Sequence, residues 1–184
     1  MRLFTILVTI AASFLRLASA QEPIAVANPG FEDDAIFCAG CYYPAITGWL
    51  VGPNSGVQNG TAATFPGGLP NGVNFAYVGN AHSTGSLTQV LNATVKANST
   101  YTLKMNVGQQ LGIGLTGYVA ALVADGVTLA SDNSLKPAPG TFLEETIVYN
   151  SGPNPPQLGR PLVIFIKSSG NGQVDIDNVS LTVQ

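Results

Sequence analysis

The sequence has few charged residues and few of the side chains that most catalytic motifs require. Only 9% of its 184 residues are charged, seven basic against ten acidic, and it contains one histidine and one tryptophan. A single histidine, His82, provides no cluster of ligands for zinc or copper. Only five basic residues follow position 20, too few to form a patch for nucleic acid or an anionic membrane. We therefore predict neither of these partners.

Long hydrophobic runs are absent beyond the N-terminus. Arg2 precedes an apolar segment at residues 3–15, and Ala18-Ser19-Ala20 provides a cleavage site of small residues. The apolar segment is shorter than the ~20 residues that span a bilayer. The pattern predicts a secretory signal peptide at residues 1–20. The protein would then be exported, either secreted or held in the lumen of the secretory pathway.

Residues 21–184 are expected to form a single domain, because their number suits one hydrophobic core. The alternation of apolar and polar residues at 101–107 is typical of a half-buried strand. Segments 118–124 and 127–130 flank Asp125-Gly126, a preferred hairpin turn. Gly, Pro, Asn and Ser separate the further strands predicted at residues 24–27, 74–78, 87–91, 145–149, 161–167 and 174–183.

The predicted fold class is all-β, with many short strands between turn signals. Such a pattern favours a two-sheet antiparallel β-sandwich of jelly-roll, galactose-binding-like type. The last predicted strand changes phase: Val174 and Ile176 are apolar at even positions, whereas Val179 and Leu181 are apolar at odd positions. Because strand side chains alternate between faces, the change predicts a bulge near Asp177. Burial of both strand faces is the alternative explanation.

Cys38 and Cys41 are the two cysteines of the chain, in a C-x-x-C arrangement. A redox motif of thioredoxin type would need a strand followed by a helix, which the sequence does not predict. We expect a structural disulfide in an exported protein. N-x-S/T sequons predict glycosylation at Asn59, Asn92 and Asn98, whereas a fourth, at Asn178, is a poor candidate if its strand is buried.

Acidic residues are concentrated at the two ends of residues 21–184. Glu32, Asp33 and Asp34 lie in one motif and Asp175 and Asp177 in the other, which together hold five of the ten acids. Calcium takes six to eight oxygen ligands from carboxylates and carbonyls, so the two motifs could share one metal site. The alternative is a solvated loop and a terminal strand that carry acids for no common purpose.

Two further groups of residues are candidates for ligand binding or chemistry. Tyr77, Tyr118 and Phe65 could line a cleft that stacks on sugar rings or holds an apolar polycyclic ligand. Trp49, Phe75 and Tyr101 are expected to fill the core. Asp175 lies between two apolar residues, so desolvation could bring its pKa into the range of a proton donor. It could equally be a calcium ligand or a surface acid.

The order of four motifs resembles a known family. They are N-P-G-F-E-D-D at 28–34, Gly48-Trp49, Y-T-L-K at 101–104 with Val107-Gly108, and V-D-I-D-N-V-S-L-T-V at 174–183. The pattern is similar to the jelly rolls of family 4/9-like carbohydrate-binding modules. Within that group it most closely resembles the calcium-dependent Stig cyclases of hapalindole-type alkaloid biosynthesis.

This resemblance implies a calcium-stabilised sandwich in which Glu32 and Asp177 bind the metal, with Asp33 and Asp34 as weaker candidates. Asp175 matches the acid that protonates the substrate and so promotes a Cope rearrangement and ring closure. Tyr77 is similar in position to a pocket tyrosine. The chain departs from the family in being shorter, in its cysteine pair and in the lack of an aromatic residue at 108–117.

Two functions follow as expectations. The first is a cyclase without a redox cofactor, acting on an apolar natural-product intermediate of alkaloid, terpenoid or polyketide origin. The second is a non-catalytic carbohydrate-binding or cell-wall protein. A cyclase should have an apolar pocket with Asp175 at its wall, whereas a sugar binder should have exposed, coplanar aromatic rings. A purely structural extracellular protein is a third candidate, and a homodimer is left open.

Overall fold

The computed structural model describes residues 20–184 as two antiparallel β-sheets. Within these residues it has no helix, so none is long and apolar enough for a membrane span. The strands in chain order are β1 (Glu22–Ile24), β2 (Tyr42–Tyr43), β3 (Leu50–Val51), β4 (Ser55–Asn59), β5 (Asn74–Val78), β6 (Ser86–Thr94), β7 (Thr100–Gln109), β8 (Tyr118–Ala124), β9 (Val127–Asp132), β10 (Thr141–Asn150), β11 (Pro161–Ser168) and β12 (Val174–Val183).

The larger sheet has the order β10-β7-β12-β5-β4-β2, with β1 also paired to β12, and the smaller has the order β3-β6-β11-β8-β9. One apolar cluster lies between them and takes side chains from both sheets. On β7, Tyr101, Leu103, Met105 and Val107 are buried in this cluster while the alternate residues point away. The predicted all-β sandwich of two antiparallel sheets is confirmed.

The strand predictions were wrong at the N-terminal end. The segment predicted at 24–27 overlaps β1 only at Ile24, and β2, β3 and β4 were not predicted. β2 and β3 have two residues each, too few to show an alternating pattern. β4 contains Gly56, whose missing side chain interrupts the pattern. Pairing with neighbouring strands, rather than local sequence, determines these elements.

The predicted irregularity in β12 is confirmed. The register between β12 and β7 shifts between Asp177 and Ser180, and Asn178 adopts a left-handed conformation with φ of 52°. Before the shift β12 pairs with β5, and after it with β1. Val174 and Ile176 on one side of the shift and Leu181 on the other therefore all face the core. Asp175 and Asp177 point to the opposite face of the larger sheet.

Tyr118 does not lie in an open cleft, contrary to its prediction as a ligand-binding residue. Its side chain is 2% exposed, and its hydroxyl group donates a hydrogen bond to the buried carboxylate of Glu145. Burial and, to a smaller extent, the hydrogen bond to Glu145 raise the pKa of Tyr118 above its usual value. The hydrogen bond joins β8 in one sheet to β10 in the other. Tyr118 therefore links the two sheets.

The substitution Tyr118→Phe is expected to destabilise the fold by about 1–3 kcal/mol, because Glu145 Oε2 would stay buried and lose its hydrogen bond, while Oε1 would keep that from the amide of Thr146. Urea unfolding measures the loss. Tyr149→Phe is the matched control: Tyr149 is half-buried, and its hydroxyl has no hydrogen-bond partner among the described residues. Equal stability of the two variants would show that the contact between Tyr118 and Glu145 contributes nothing.

Cys38 and Cys41 form the expected disulfide. Of the predicted signal peptide only Ala20 belongs to the described residues, so that prediction lies outside them. Asn92 and Asn98 are exposed, while Asn59 is half-buried and donates a hydrogen bond to Asn74. The side chain of Asn178 is exposed, although its neighbours Asp177 and Val179 on β12 are buried. Glycosylation at the sequons stays a prediction.

Candidate functional site

Asp175 lies in the middle of a row of residues across the outer face of the larger sheet. Its direct partners are Tyr77 on β5 and Gly108 on β7. The row continues to Gly56 beside Tyr77 and to Phe142 beside Gly108. A Cβ atom at position 108 would overlap the Phe142 ring, so this glycine lets the ring approach the sheet. Registered pairs in an antiparallel sheet share one face, which brings Tyr77 and Asp175 together.

A cleft of about 600 Å³ opens beside this row. Its apolar and aromatic wall includes Tyr42, Pro44, Tyr77 and Ile113. Its polar wall consists mainly of carboxamides, namely those of Asn54, Gln58, Asn80, Gln110 and Gln173. No acidic or basic side chain of the described residues lines it. The cleft therefore suits an uncharged molecule with an apolar body and a few hydrogen-bonding groups.

Asp175 lies immediately behind the carboxamide wall. Its side chain is 0% exposed. The backbone amide of Gln110 donates to Oδ2 at 2.8 Å, and Nε2 of Gln173 donates to Oδ1 at 2.6 Å. Burial raises the pKa of Asp175 to about 7, although both hydrogen bonds act in the opposite direction. The acid is thus separated from the cleft by one layer of side chains.

Tyr77 is the predicted site residue that reaches the cleft directly. Its ring lies 5.9 Å from that of Tyr42, at an angle of 84°. Burial, with a smaller contribution from Tyr42, raises the pKa of Tyr77 above its usual value. The hydroxyl therefore stays protonated at neutral pH and can donate a hydrogen bond.

Phe65 was predicted to line a ligand-binding cleft together with Tyr77. The structure instead places it in a packed aromatic cluster. It is 1% exposed and lies 5.2 Å from Phe75 and 4.5 Å from Phe142, between ring centroids. Trp49 and Tyr101 are core residues, as predicted. Phe75 is also buried, but in the outer cluster with Phe65. Through Phe142 this cluster supports the sheet next to Asp175.

The structure brings the two acidic motifs together. The carbonyl of Pro29 accepts a hydrogen bond from the amide of Val179 at 2.8 Å. Glu32 Oε1 accepts hydrogen bonds from the amides of Val73 and Asn74, at 2.9 and 2.7 Å. Asp177 Oδ2 accepts one from Asn71 in the same turn, at 2.8 Å. Glu32 and Asp177 are therefore joined through residues 71–74.

The charges at this turn are not balanced by a basic side chain. In the described part of the chain the ion pairs are Lys104 with Glu144 and Arg160 with Asp125. Burial raises the pKa of Asp177 to about 7. The hydrogen bonds from the backbone amides of Asn71 and Asn178 lower this pKa, whereas the nearby charge of Glu32 raises it further. The two carboxylates thus repel each other, and a cation would relieve that repulsion.

The other acids of the first motif have different surroundings. Asp34 accepts hydrogen bonds from the backbone and hydroxyl of Thr47 and from Asn28 Nδ2. Asp33 is exposed. Residues 20–184 contain no group of three or more His, Cys, Asp or Glu side chains placed to hold a metal ion. A metal here would depend on Glu32 and Asp177 with carbonyl and water oxygens.

Comparison with known proteins identifies the family. The HpiC1-like family, described as HpiC1 cyclase, matches residues 22–182. The chain belongs to the HpiC1-like cyclase family. A cyclase from Fischerella sp. TAU, the Stig cyclase Fisc in complex with (3Z)-3-(1-methyl-2-pyrrolidinylidene)-3H-indole, is 28% identical, with a TM-score of 0.81 over 90% of this chain and 98% of that one.

Other solved structures extend the comparison. A Fischerella sp. TAU cyclase in complex with 4-(1H-indol-3-yl)butan-2-one has 28% identity and a TM-score of 0.79, covering 89% of this chain and 98% of that one. The module TmCBM61, in complex with beta-1,4-galactotriose, has 16% identity and a TM-score of 0.55, covering 86% and 97%. The latter similarity shows the shared fold alone. No curated protein matches the chain.

Membership of the HpiC1-like family supports a cyclase role with a natural-product substrate, and the resemblance to Stig cyclases is confirmed. Sequence reasoning missed Gln110 and Gln173, the two residues that separate Asp175 from the cleft. Gln110 follows β7 and Gln173 precedes β12, and both lie in loop-like sequence where no periodicity distinguishes them. Glutamine next to a strand end is common, so the sequence contained no signal that could have singled them out.

Proposed function

We propose that the protein is an exported, calcium-stabilised cyclase that closes a ring in an apolar natural-product intermediate, with Asp175 as the acid. The observation that supports it best is the position of Asp175, a buried carboxyl group one side-chain layer behind a cleft. Tyr77 lies beside it in register and lines the cleft directly. Acid catalysis needs a proton donor within reach of the substrate, and the proximity of Asp175 to the cleft supports this role.

Gln173 controls the access of a substrate to Asp175 in this proposal. The backbone amide of Gln173 is fixed by a 3.1 Å hydrogen bond to the carbonyl of Gly114. Rotation of its side chain alone would free Asp175 Oδ1 towards the cleft. The substrate would take the place of the Gln173 carboxamide at that oxygen.

The chemical step conserves atoms and electrons. The Asp175 carboxyl group gives its proton to the bound substrate as the new ring bond forms. The cyclised intermediate then returns a proton to the Asp175 carboxylate. The net reaction is an isomerisation that needs no redox partner. Tyr77 and Tyr42 hold the substrate in a folded conformer, and such positioning contributes much of the acceleration in reactions of this kind.

The geometry of the aromatic residues favours a cyclase over the alternative of a sugar binder. Tyr42 and Tyr77 meet at 84°, so they form a corner and not a flat stacking platform. Sugar rings stack best on coplanar exposed rings. Tyr43 and Phe37 are exposed, at 58% and 97%, but neither lines the cleft next to Asp175. The carbohydrate-binding function remains the second candidate.

Calcium is the ion that the resemblance implies, and the donor set around residues 71–74 suits it. Glu32 and Asp177 are two carboxylates without a basic partner in the described chain, and hard cations prefer such oxygens. Carbonyl and water oxygens would complete the coordination. We propose that these two residues hold calcium. The ion would supply stability, by tying the N-terminal loop to the register shift of β12.

Two probes distinguish the proposed functions. We expect 4-(1H-indol-3-yl)butan-2-one to bind in isothermal titration calorimetry and beta-1,4-galactotriose not to bind. Tyr77→Ala should weaken binding of the indole by about two- to thirteenfold, because an aromatic contact contributes about 0.5–1.5 kcal/mol. Tyr43→Ala is the control, since this exposed tyrosine is near the cleft but does not line it. Binding of the galactotriose alone would contradict the cyclase and support the sugar binder.

A further inference from the structure

Gln110 has a buried side chain without a partner. It is 4% exposed, and in the described part of the chain no hydrogen bond involves its carboxamide. No buried side-chain nitrogen or oxygen atom of these residues is both fully enclosed and unpaired. The Gln110 carboxamide therefore reaches open space, and the space that it lines is the cleft.

The backbone of Gln110 is fixed beside Asp175. Its amide nitrogen lies 2.8 Å from Asp175 Oδ2, and the preceding carbonyl, of Gln109, accepts a hydrogen bond from Gly140 at 2.7 Å. The Cα atom is one bond from that amide nitrogen, so the side chain starts next to the acid. A ligand group bound by the Gln110 carboxamide therefore lies about one glutamine side-chain length from Asp175.

The two glutamines of the cleft wall differ in what their side chains do. The Gln173 carboxamide is engaged with Asp175, whereas Gln110 contacts the acid through its backbone alone. If an apolar ligand binds and displaces water from a nearly buried, unpaired carboxamide, the lost hydrogen bonds make binding less favourable. Binding becomes more favourable when the ligand has a hydrogen-bonding atom that replaces the water as partner of the carboxamide.

We propose that Gln110 is a specificity-determining residue, which binds a carbonyl oxygen or similar heteroatom of the substrate through its carboxamide and so places that group beside Asp175. The inference rests on the proposed function, because it assigns a substrate feature to the same cleft. The substrate class is then an apolar ring compound with one hydrogen-bonding heteroatom near the reacting centre. A pure hydrocarbon would be discriminated against.

The test compares two probes that differ in one group. In 4-(1H-indol-3-yl)butan-2-one a carbonyl occupies the position of a methylene group in 3-butylindole. We expect the wild-type protein to bind the ketone about three- to tenfold more tightly than the variant Gln110→Met, which lacks the carboxamide. Gln110→Met keeps the length of the side chain and leaves the backbone hydrogen bond to Asp175 in place. It should lose affinity for the ketone and keep or gain affinity for 3-butylindole, because methionine removes the carboxamide that this probe leaves unpaired.

Gln58→Met is the matched control, since Gln58 also lines the cleft but lies on β4, away from Asp175. It should leave the ratio of the two affinities unchanged. An unchanged ratio in Gln110→Met would overturn the role of Gln110 and leave the proposed function standing. An equal loss for both probes would show a structural role and overturn it as well. Failure of both probes to bind the wild type would overturn the role of Gln110 for an indole ligand, while the proposed function would still be decided by the turnover of Asp175→Asn.

Discussion

Asp175→Asn is expected to lower turnover by about 10²- to 10⁴-fold, the usual contribution of a general acid, while the protein stays folded. Asparagine has the shape of aspartate but cannot give up a proton to the substrate. Its oxygen can still accept from the amide of Gln110, and its NH₂ group can donate to Gln173 after rotation of that carboxamide. The loss of activity should therefore not reflect unfolding.

The measurement is product formation by the wild type and the variant, with a substrate found by screening indole, terpenoid and polyketide-derived precursors. Asp125→Asn is the control. Asp125 lies in the turn between β8 and β9 of the smaller sheet and forms a 3.5 Å surface ion pair with Arg160, and neither residue lines the cleft. Its substitution should leave turnover unchanged. Full activity of Asp175→Asn with an unchanged melting temperature would remove Asp175 from the mechanism.

Calcium is expected to raise the melting temperature by about 5–10 °C over the value in excess chelator. A ligand that binds only the folded state at a hundred times its dissociation constant stabilises by about 2.7 kcal/mol. For a domain of this size each kcal/mol corresponds to about 2–4 °C. Differential scanning calorimetry of the protein with calcium and with chelator measures the shift. No shift in the wild type would contradict a calcium site at Glu32 and Asp177.

The variants Glu32→Gln and Asp177→Asn should each abolish most of the calcium shift. Both keep a side-chain oxygen for the hydrogen bonds from residues 71–74 but remove the negative charge that attracts the ion. Asp33→Asn is the control, because Asp33 belongs to the same loop but its carboxylate, unlike that of Glu32, accepts no hydrogen bond from residues 71–74. A shift that disappears in Asp33→Asn and persists in Glu32→Gln would place the ion elsewhere in the loop.

Much of the fold could be predicted from local sequence. Alternation at 101–107 predicted β7, and Asp125-Gly126 predicted the hairpin of β8 and β9. The phase change in β12 predicted its register shift, because a two-residue period leaves no other way to keep Val174 and Leu181 on the same face. Strands β2 and β3 could not be predicted, since two residues carry no period.

The candidate site was less accessible to sequence reasoning. Tyr77 was placed in a cleft, where the structure has it, but Tyr118 and Phe65 proved to be packed side chains. A tyrosine between turn signals looks the same whether its hydroxyl meets solvent or a buried carboxylate such as Glu145. Which of the two occurs depends on a strand of the other sheet.

The sequence by itself determined the all-β class, the disulfide and the membership of a cyclase family, because each depends on the order or spacing of residues along the chain. Only the tertiary structure decided which polar groups meet. The hydrogen bond from Gln110 to Asp175 joins residues 65 positions apart, and that from Asn71 to Asp177 joins residues 106 positions apart. Such contacts form when segments distant in the chain become neighbours in the folded sheet. Local sequence does not indicate which distant residues these will be.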